Sequence, residues 1–331
     1  MGVHVIATGG TIASLADPET GAVRPAVGAE ELVASVPGLQ EVAPIAVEEV
    51  AHVNGWNITP AIMLEVAARV MEAQARPDVD GVVVTHGTDT VEETAFLCDL
   101  TVAGPKPVAF AAAMRSGGEV SADGPRNLLD AVRLVMHPEA RERGAMVVLN
   151  DEAHAARWVR KRDSFRPSAF SSYERGPIAH VTPESASFLA PAPRRVVLER
   201  PAALDRPVPV VQTYTGMEEG VIVVLLEATQ AAGLVLEGTG LGNVPGSAEP
   251  CIRQATASGL PVVVATRAPS GGTASVYGGP GGGVSLQELG VIQAGRLSAA
   301  KARLLLMVLL AGGLTAGQAA DRFREVVETI G

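Results

Sequence analysis

Apolar runs of strand length alternate along this chain with stretches of helical period, and no other feature constrains the fold as much. VHVIA opens the sequence, GVVVTH covers residues 81–86, PVAFAAA 107–113 and AMVVLN 145–150. Between them TPAIMLEVAARVMEAQA (59–75), TVEETAFLCDLTV (90–102) and PRNLLDAVRLVMH (125–137) space their apolar residues as helices do. Strands without polar alternation are buried on both faces, as in a parallel sheet whose crossover helices cover both sides. The pattern predicts a doubly wound α/β domain. Its core must be aliphatic, since aromatics are 3% of a chain that is 47% hydrophobic.

At 331 residues the chain exceeds one modest core, so two domains are expected. The texture changes at APAPRRVVLERPAALDRPVP, where Pro and Arg replace any sustained period. The expected division is a larger domain over 1–189, a linker over 190–209 and a smaller α/β domain over 210–331. Beyond the linker VPVVQTY, AAGLVLEG and LPVVVAT read as parallel strands, with AAKARLLLMVLLAGG as a closing helix. GVIVVLLEAT (220–229) is rich in β-branched residues, which favour a strand. Its place between two parallel strands nevertheless demands a crossover, and it is assigned as helix.

Several function classes are excluded early. A net charge of −10 disfavours nucleic acid, whose phosphates need a basic footprint. Cys98 and Cys251 match no metal or redox spacing and are expected to be buried thiols. No membrane partner is expected, because the apolar LLLMVLLAGG is too short to span a bilayer. No basic n-region precedes the first strand, so a cytoplasmic location is expected.

Ligands of doubly wound sheets bind outside the carboxyl ends of the strands, so the residues there matter most. Thr8-Gly9-Gly10-Thr11 follows the first strand, His86-Gly87-Thr88-Asp89-Thr90 the second, and Asn150 to Ser164, containing Lys161, the fourth. Each piece has a plain structural explanation. A strand-end Thr commonly caps a helix, Thr90 with Glu93 fits a capping box, and Lys161 lies in a basic run, RWVRKR. GTGLGN (238–243) is a weak dinucleotide fingerprint, because Pro245 interrupts the expected helix start.

Taken together, ATGGTIAS (7–14), THGTDTVEETAFLCDLT (85–101), AAAMRSGGEVSADGPRNL (111–128), NDEAHAARWVRK (150–161) and GTGLGNVP (238–245) resemble, in order, the motifs of the bacterial-type L-asparaginase family. The first two are specific, and the resemblance runs nearly end to end. It implies two α/β domains, the larger doubly wound and flavodoxin-like, and hydrolysis of asparagine to aspartate and ammonia without a metal or organic cofactor. It implies that Thr11 is the nucleophile and Thr8 structural. Thr88, Asp89 and Lys161 match the second catalytic group, with Asp89 also binding the substrate's α-ammonium. Ala113 aligns with a residue whose main chain contacts the reacting amide. It further implies a homodimer or homotetramer with the site near a subunit interface.

Three departures bear on the substrate. The family's lid carries a Tyr that helps activate the nucleophile, yet residues 14–29 contain none, leaving Arg24 as a possible substitute. The segment that binds the substrate carboxylate reads VNGWNITP, with Gly55 where a Ser is usual and Trp56 beside it. Relatives often bring in a Glu from a neighbouring subunit, but SGGTASVYGGPGGGV (270–284) has none, whereas Asn243 of the same region is retained. Alternatives are therefore an amidohydrolase for another small amide, glutamine included, or a weakly active amino-acid-binding protein.

Overall fold

The computed structural model describes residues 2–330. The chain divides into two compact units, Met1–Val197 and Leu198–Gly331. The first holds an eight-stranded sheet with five parallel strands at its centre and edge: β1 (Gly2–Gly9), β4 (Ile45–Val53), β5 (Val79–Thr85), β6 (Val108–Ala111) and β7 (Ala145–Leu149). A separate antiparallel hairpin, β2 (Ser14–Ala16) and β3 (Val23–Pro25), follows β1. Alternate strand residues feed two cores. Val3, Val5, Val83, Ala109 and Val148 pack with α1 (Ala29–Ala34), α2 (Leu39–Val42) and α5 (Gly124–Met136). Ile6, Val82, Val84, Phe110 and Val147 pack with α3 (Pro60–Ala75) and α4 (Val91–Thr101). Burial on both faces explains why these strands show no polar alternation.

The strand order is β12-β11-β8-β7-β6-β5-β1-β4. From β1 the chain crosses to β4 on one side and then to β5 on the other. The crevice where the order reverses therefore opens between the carboxyl ends of β1 and β5.

Three details differ from the sequence reading. First, β4 was not anticipated: IAVEEVAHV is an edge strand whose Glu48 and Glu49 interrupt the apolar run. Second, AMVVLN does not lead into another crossover. Asn150 and Asp151 adopt left-handed angles (φ 53° and 64°), making a tight turn into β8 (Glu152–Ala155), antiparallel to β7. β11 (Ala179–Val181) and β12 (Ala186–Phe188) extend that antiparallel edge, while β9 (Arg160–Lys161) and β10 (Phe170–Ser171) form a small ladder of their own. The third detail lies in the second unit.

That unit has a four-stranded parallel sheet in sequence order, β13 (Val210–Gln212), β14 (Leu234–Gly238), β15 (Val262–Thr266) and β16 (Ile292–Gln293). GVIVVLLEAT is helical, as the crossover argument required: it forms α6 (Gly220–Thr229). α7 (Glu249–Ala257) and α8 (Gly283–Glu288) join it around one core. AAKARLLLMVLLAGG forms α9 (Ala299–Ala311) but does not close the chain. Buried along most of its length, α9 needs cover beyond the sheet, and the amphipathic α10 (Ala316–Ile330) packs against it.

Residues 190–209 contain no helix or strand, yet they are not a free spacer. The Arg195 guanidinium donates to Val102 O at 2.6 Å and lies 3.7 Å from the buried Asp99, and Leu204 and Val208 are buried.

Candidate active site

Four strand ends and the β9–β10 ladder supply the residues. At the end of β1 the buried Thr8 hydroxyl donates to Thr85 O on β5 at 2.9 Å, a structural role. Gly10 then adopts φ 82°, and a side chain there would collide with the next turn: a Cβ would lie 2.4 Å from Gly87 N and Cα. Thr11 opens a single turn of 3₁₀ helix, Thr11–Ala13, and is only half-buried. Its hydroxyl has no hydrogen-bond partner among the described residues.

Gly87 is pressed from its other side by the turn that follows β4. A Cβ on Gly87 would sit 2.6 Å from Gly55 Cα and 2.8 Å from Gly55 N. Gly10, Gly87 and Gly55 thus stack backbone on backbone, joining the ends of β1, β5 and β4. The main chain at Gly10 lies directly against a neighbouring turn.

Thr90 strengthens the same contact. Its hydroxyl makes no cap to α4; it donates to Gly55 O at 2.6 Å. The capping-box expectation is corrected on this point, because a hydroxyl turned to donate to Gly55 O does not accept from the first N–H groups of α4. Trp56, next to Gly55, is 65% exposed and stacks on no ring or cation among the described residues.

His86 was not singled out by sequence, although a histidine ending a buried strand is a signal in itself. Its ring is buried, with Nδ1 2.9 Å from Gly87 O and Nε2 2.9 Å from Thr94 Oγ1 on α4. Burial pushes its pKa down to about 4, so the ring is neutral near pH 7. A neutral ring with its proton on Nδ1 donates to Gly87 O and accepts from Thr94, which locks the turn carrying Thr88 and Asp89.

Lys161 is not part of a solvated basic run. From β9 its Nζ reaches back 73 residues to donate to Thr88 Oγ1 at 2.9 Å, and to Asp89 Oδ1 at 2.7 Å. The Lys161 side chain is mostly covered, while that of Asp89 is about half exposed. At the end of β6, Ala113 is buried and its neighbours are held by α5. Asp123 accepts from Met114 N (3.1 Å) and Arg115 N (2.8 Å), and Asn127 donates to Ala112 O at 2.8 Å. Asp123 and Asn127 also escaped the sequence reading; their four-residue spacing at a helix start was the available clue.

Thr88, Asp89 and Lys161 are thus in direct contact, and Thr11 and Gly55 adjoin them through the glycine stack. Arg24 is engaged elsewhere: its guanidinium pairs with Asp17 inside the β2–β3 hairpin. Asn243 belongs to the second unit, where its side-chain oxygen accepts from Gly283 N at 3.1 Å and its backbone closes a tight turn with Thr239. Both cysteines are buried, and burial raises both thiol pKa values, leaving them unreactive.

The turn after β1 that carries Thr11, beside a Thr-Asp-Lys cluster after β5, invites comparison with known proteins. Residues 2–194 match the family described as "Asparaginase, N-terminal", and residues 207–323 match "Glutaminase/Asparaginase C-terminal domain". The chain belongs to the asparaginase family. Its family relatives include a probable L-asparaginase of Deinococcus radiodurans, 39% identical over 311 residues that cover 92% of each chain. L-asparaginase 2 of Bacillus subtilis is 33% identical over 93% of this chain and 82% of its own. Among solved asparaginase structures, that of a probable cytoplasmic L-asparaginase from Campylobacter jejuni superposes with a TM-score of 0.89, covering 99% of both chains at 32% identity. The family resemblance in the sequence and the two-unit α/β fold therefore agree.

Proposed function

We propose that this protein is an L-asparaginase in which Thr11 attacks the side-chain amide of L-asparagine. The observation that carries the reading is the Lys161 ammonium held between Thr88 Oγ1 and Asp89 Oδ1, one turn away from Thr11 in a chain of the asparaginase family. A threonine hydroxyl is a weak nucleophile and needs a group to take its proton. Thr88 and Lys161 supply a path for it, with Lys161 receiving the proton only as it gives up one of its own, since an ammonium has no lone pair. The Thr11 oxygen bonds to the amide carbon, its proton passes to the departing nitrogen, and ammonia leaves an ester on Thr11. Water then attacks that ester and releases L-aspartate.

Asp89 takes the substrate's α-ammonium through a charge-assisted hydrogen bond. The α-carboxylate is met by the main chain at Gly55, beside Trp56, and the main chain at Ala113 faces the reacting amide. Backbone N–H groups near Thr11 and Thr88 stabilise the developing oxyanion. Asn243 would act from a second copy of the chain in a homodimer or homotetramer with the site near the interface. Support for assembly comes from α6, which is apolar but for Glu227 and Thr229 yet buries only Ile222 and leaves Val221 and Val224 exposed. No described helix is long and apolar enough to cross a membrane, and a cytoplasmic location is part of the proposal.

The deciding experiment is ammonia release from L-Asn, L-Gln, D-Asn and amides lacking the α-carboxylate, wild type beside Thr11→Ala. Preference for L-Asn, lost in Thr11→Ala, is the expected result. A preference for amides without a carboxylate would replace this reading with that of a different amidohydrolase.

A further inference from the structure

The Lys161 side chain meets Thr88 and Asp89 from an insecure platform. β9 has two residues, pairs only with the two residues of β10, and belongs to neither large sheet. Ladders this short are marginal in water. Something else must fix where Lys161 begins. Its backbone N–H donates to Oε2 of Glu92 at 2.8 Å. Glu92 stands in the first turn of α4, three residues after Asp89 and four after Thr88. Both ends of Lys161, the backbone N–H and Nζ, are therefore tied to one short stretch of chain, residues 88–92.

We infer that Glu92 is a positioning residue for the proposed reaction, its carboxylate clamping the Lys161 main chain so that Nζ bridges Thr88 and Asp89. The inference rests on Lys161 serving as the proton relay. A carboxylate accepting from a backbone N–H makes a stronger bond than a neutral acceptor, and its place at the start of α4 suits its charge. The far strand of the ladder is anchored independently. Phe170 is buried, and Ser172 Oγ lies 3.0 Å from Nδ1 of the buried His154 on β8. Removing the clamp therefore leaves the ladder attached while freeing Lys161 to shift. A displacement of about 1 Å at a catalytic group can cost on the order of 10²-fold in rate.

The test is steady-state ammonia release from L-Asn by Glu92→Ala, Glu92→Asp, Glu92→Gln, Lys161→Met and the double variant Lys161→Met with Glu92→Gln or Glu92→Ala. Glu92→Ala and Glu92→Asp are expected to lose roughly 10²-fold in kcat with KM near wild type. Asp keeps the charge but is one methylene too short to reach. Glu92→Gln keeps an oxygen at the right reach and should retain most of kcat. Adding Glu92→Ala to Lys161→Met should change nothing further, because the clamp then has no relay to position. Wild-type kcat in Glu92→Ala, a Gln variant as poor as Ala, an Asp variant as good as wild type, or a further loss in the double variant would each overturn the assignment. If Glu92→Ala does not fold, the opposed behaviour of Asp and Gln decides alone. Failure of the relay reading has its own signature, a wild-type rate in Lys161→Met, and that result would remove the basis for this inference too.

Discussion

Gly87 and Gly55 touch through their main chains: a methyl group on Gly87 would lie 2.6 Å from Cα of Gly55 and 2.8 Å from its nitrogen. Gly87→Ala must therefore push one turn away from the other. Overpacking of this kind costs about 1–3 kcal/mol. The displaced turn carries Thr88 and Asp89, so a loss of activity on the order of 10²-fold should accompany the drop in melting temperature. Wild-type turnover in Gly87→Ala would mean that the turns move freely and the stack matters little.

The same contact changes what is expected of Gly55→Ser. From sequence alone, restoring the family's hydroxyl should lower KM. In the structure a Cβ at Gly55 would stand 3.2 Å from both Gly87 Cα and C, and 3.4 Å from Asp89 N. The turn would have to give by a few tenths of an ångström. The expected outcome is a lower kcat with no gain in KM, read from steady-state kinetics on L-Asn. A clear fall in KM at unchanged kcat would show that the site accommodates the hydroxyl.

Thr11→Ala should abolish turnover, by more than about 10²-fold, if Thr11 is the nucleophile. Its hydroxyl makes no hydrogen bond among the described residues, so stability should stay within about 0.5 kcal/mol of wild type. Ammonia release and urea unfolding on the same preparation separate the two effects.

His86 makes a pH-dependent contribution whose sign follows from its burial. The folded state holds it neutral, with a pKa near 4 against a usual imidazole value of 6.5. Its contribution to stability is thus complete above pH 6.5 and is lost as pH falls toward 4. Between pH 7 and pH 5 this single group accounts for about 2 kcal/mol. Urea unfolding at the two values should show a difference that shrinks by that amount in His86→Gln. An equal difference in both proteins would mean that His86 titrates normally.

Assembly is tested on α6. Val224 is 65% exposed on a helix that carries one charged residue, Glu227. Light scattering on a sizing column should give the wild type a mass above that of one chain, and Val224→Glu should shift it downward. A wild type eluting at the mass of a single chain would sink the oligomer proposal.

Much of this protein was determined by local pattern. Continuous apolar runs such as GVVVTH implied a sheet buried on both faces, because only a core on each side can satisfy them. The order of ATGGTIAS, HGTDT and NDEAHAARWVRK identified the family, and the crossover rule made α6 a helix against its β-branched composition. What a linear pattern does not carry is which distant groups meet. Thr90 looked like a cap because its neighbours fit one, until folding brought Gly55 O within 2.6 Å. Gly55 looked like a lost hydroxyl, whereas the packing of Gly87 against it leaves little room for a side chain. Lys161 sits 73 residues from Thr88, and its ammonium meets that hydroxyl only after the chain has reversed at the β7–β8 turn. Periodicity is set by nearest neighbours in sequence and can be read from it, whereas hydrogen-bond partners and backbone contacts depend on long-range closure and exist only once the chain has folded.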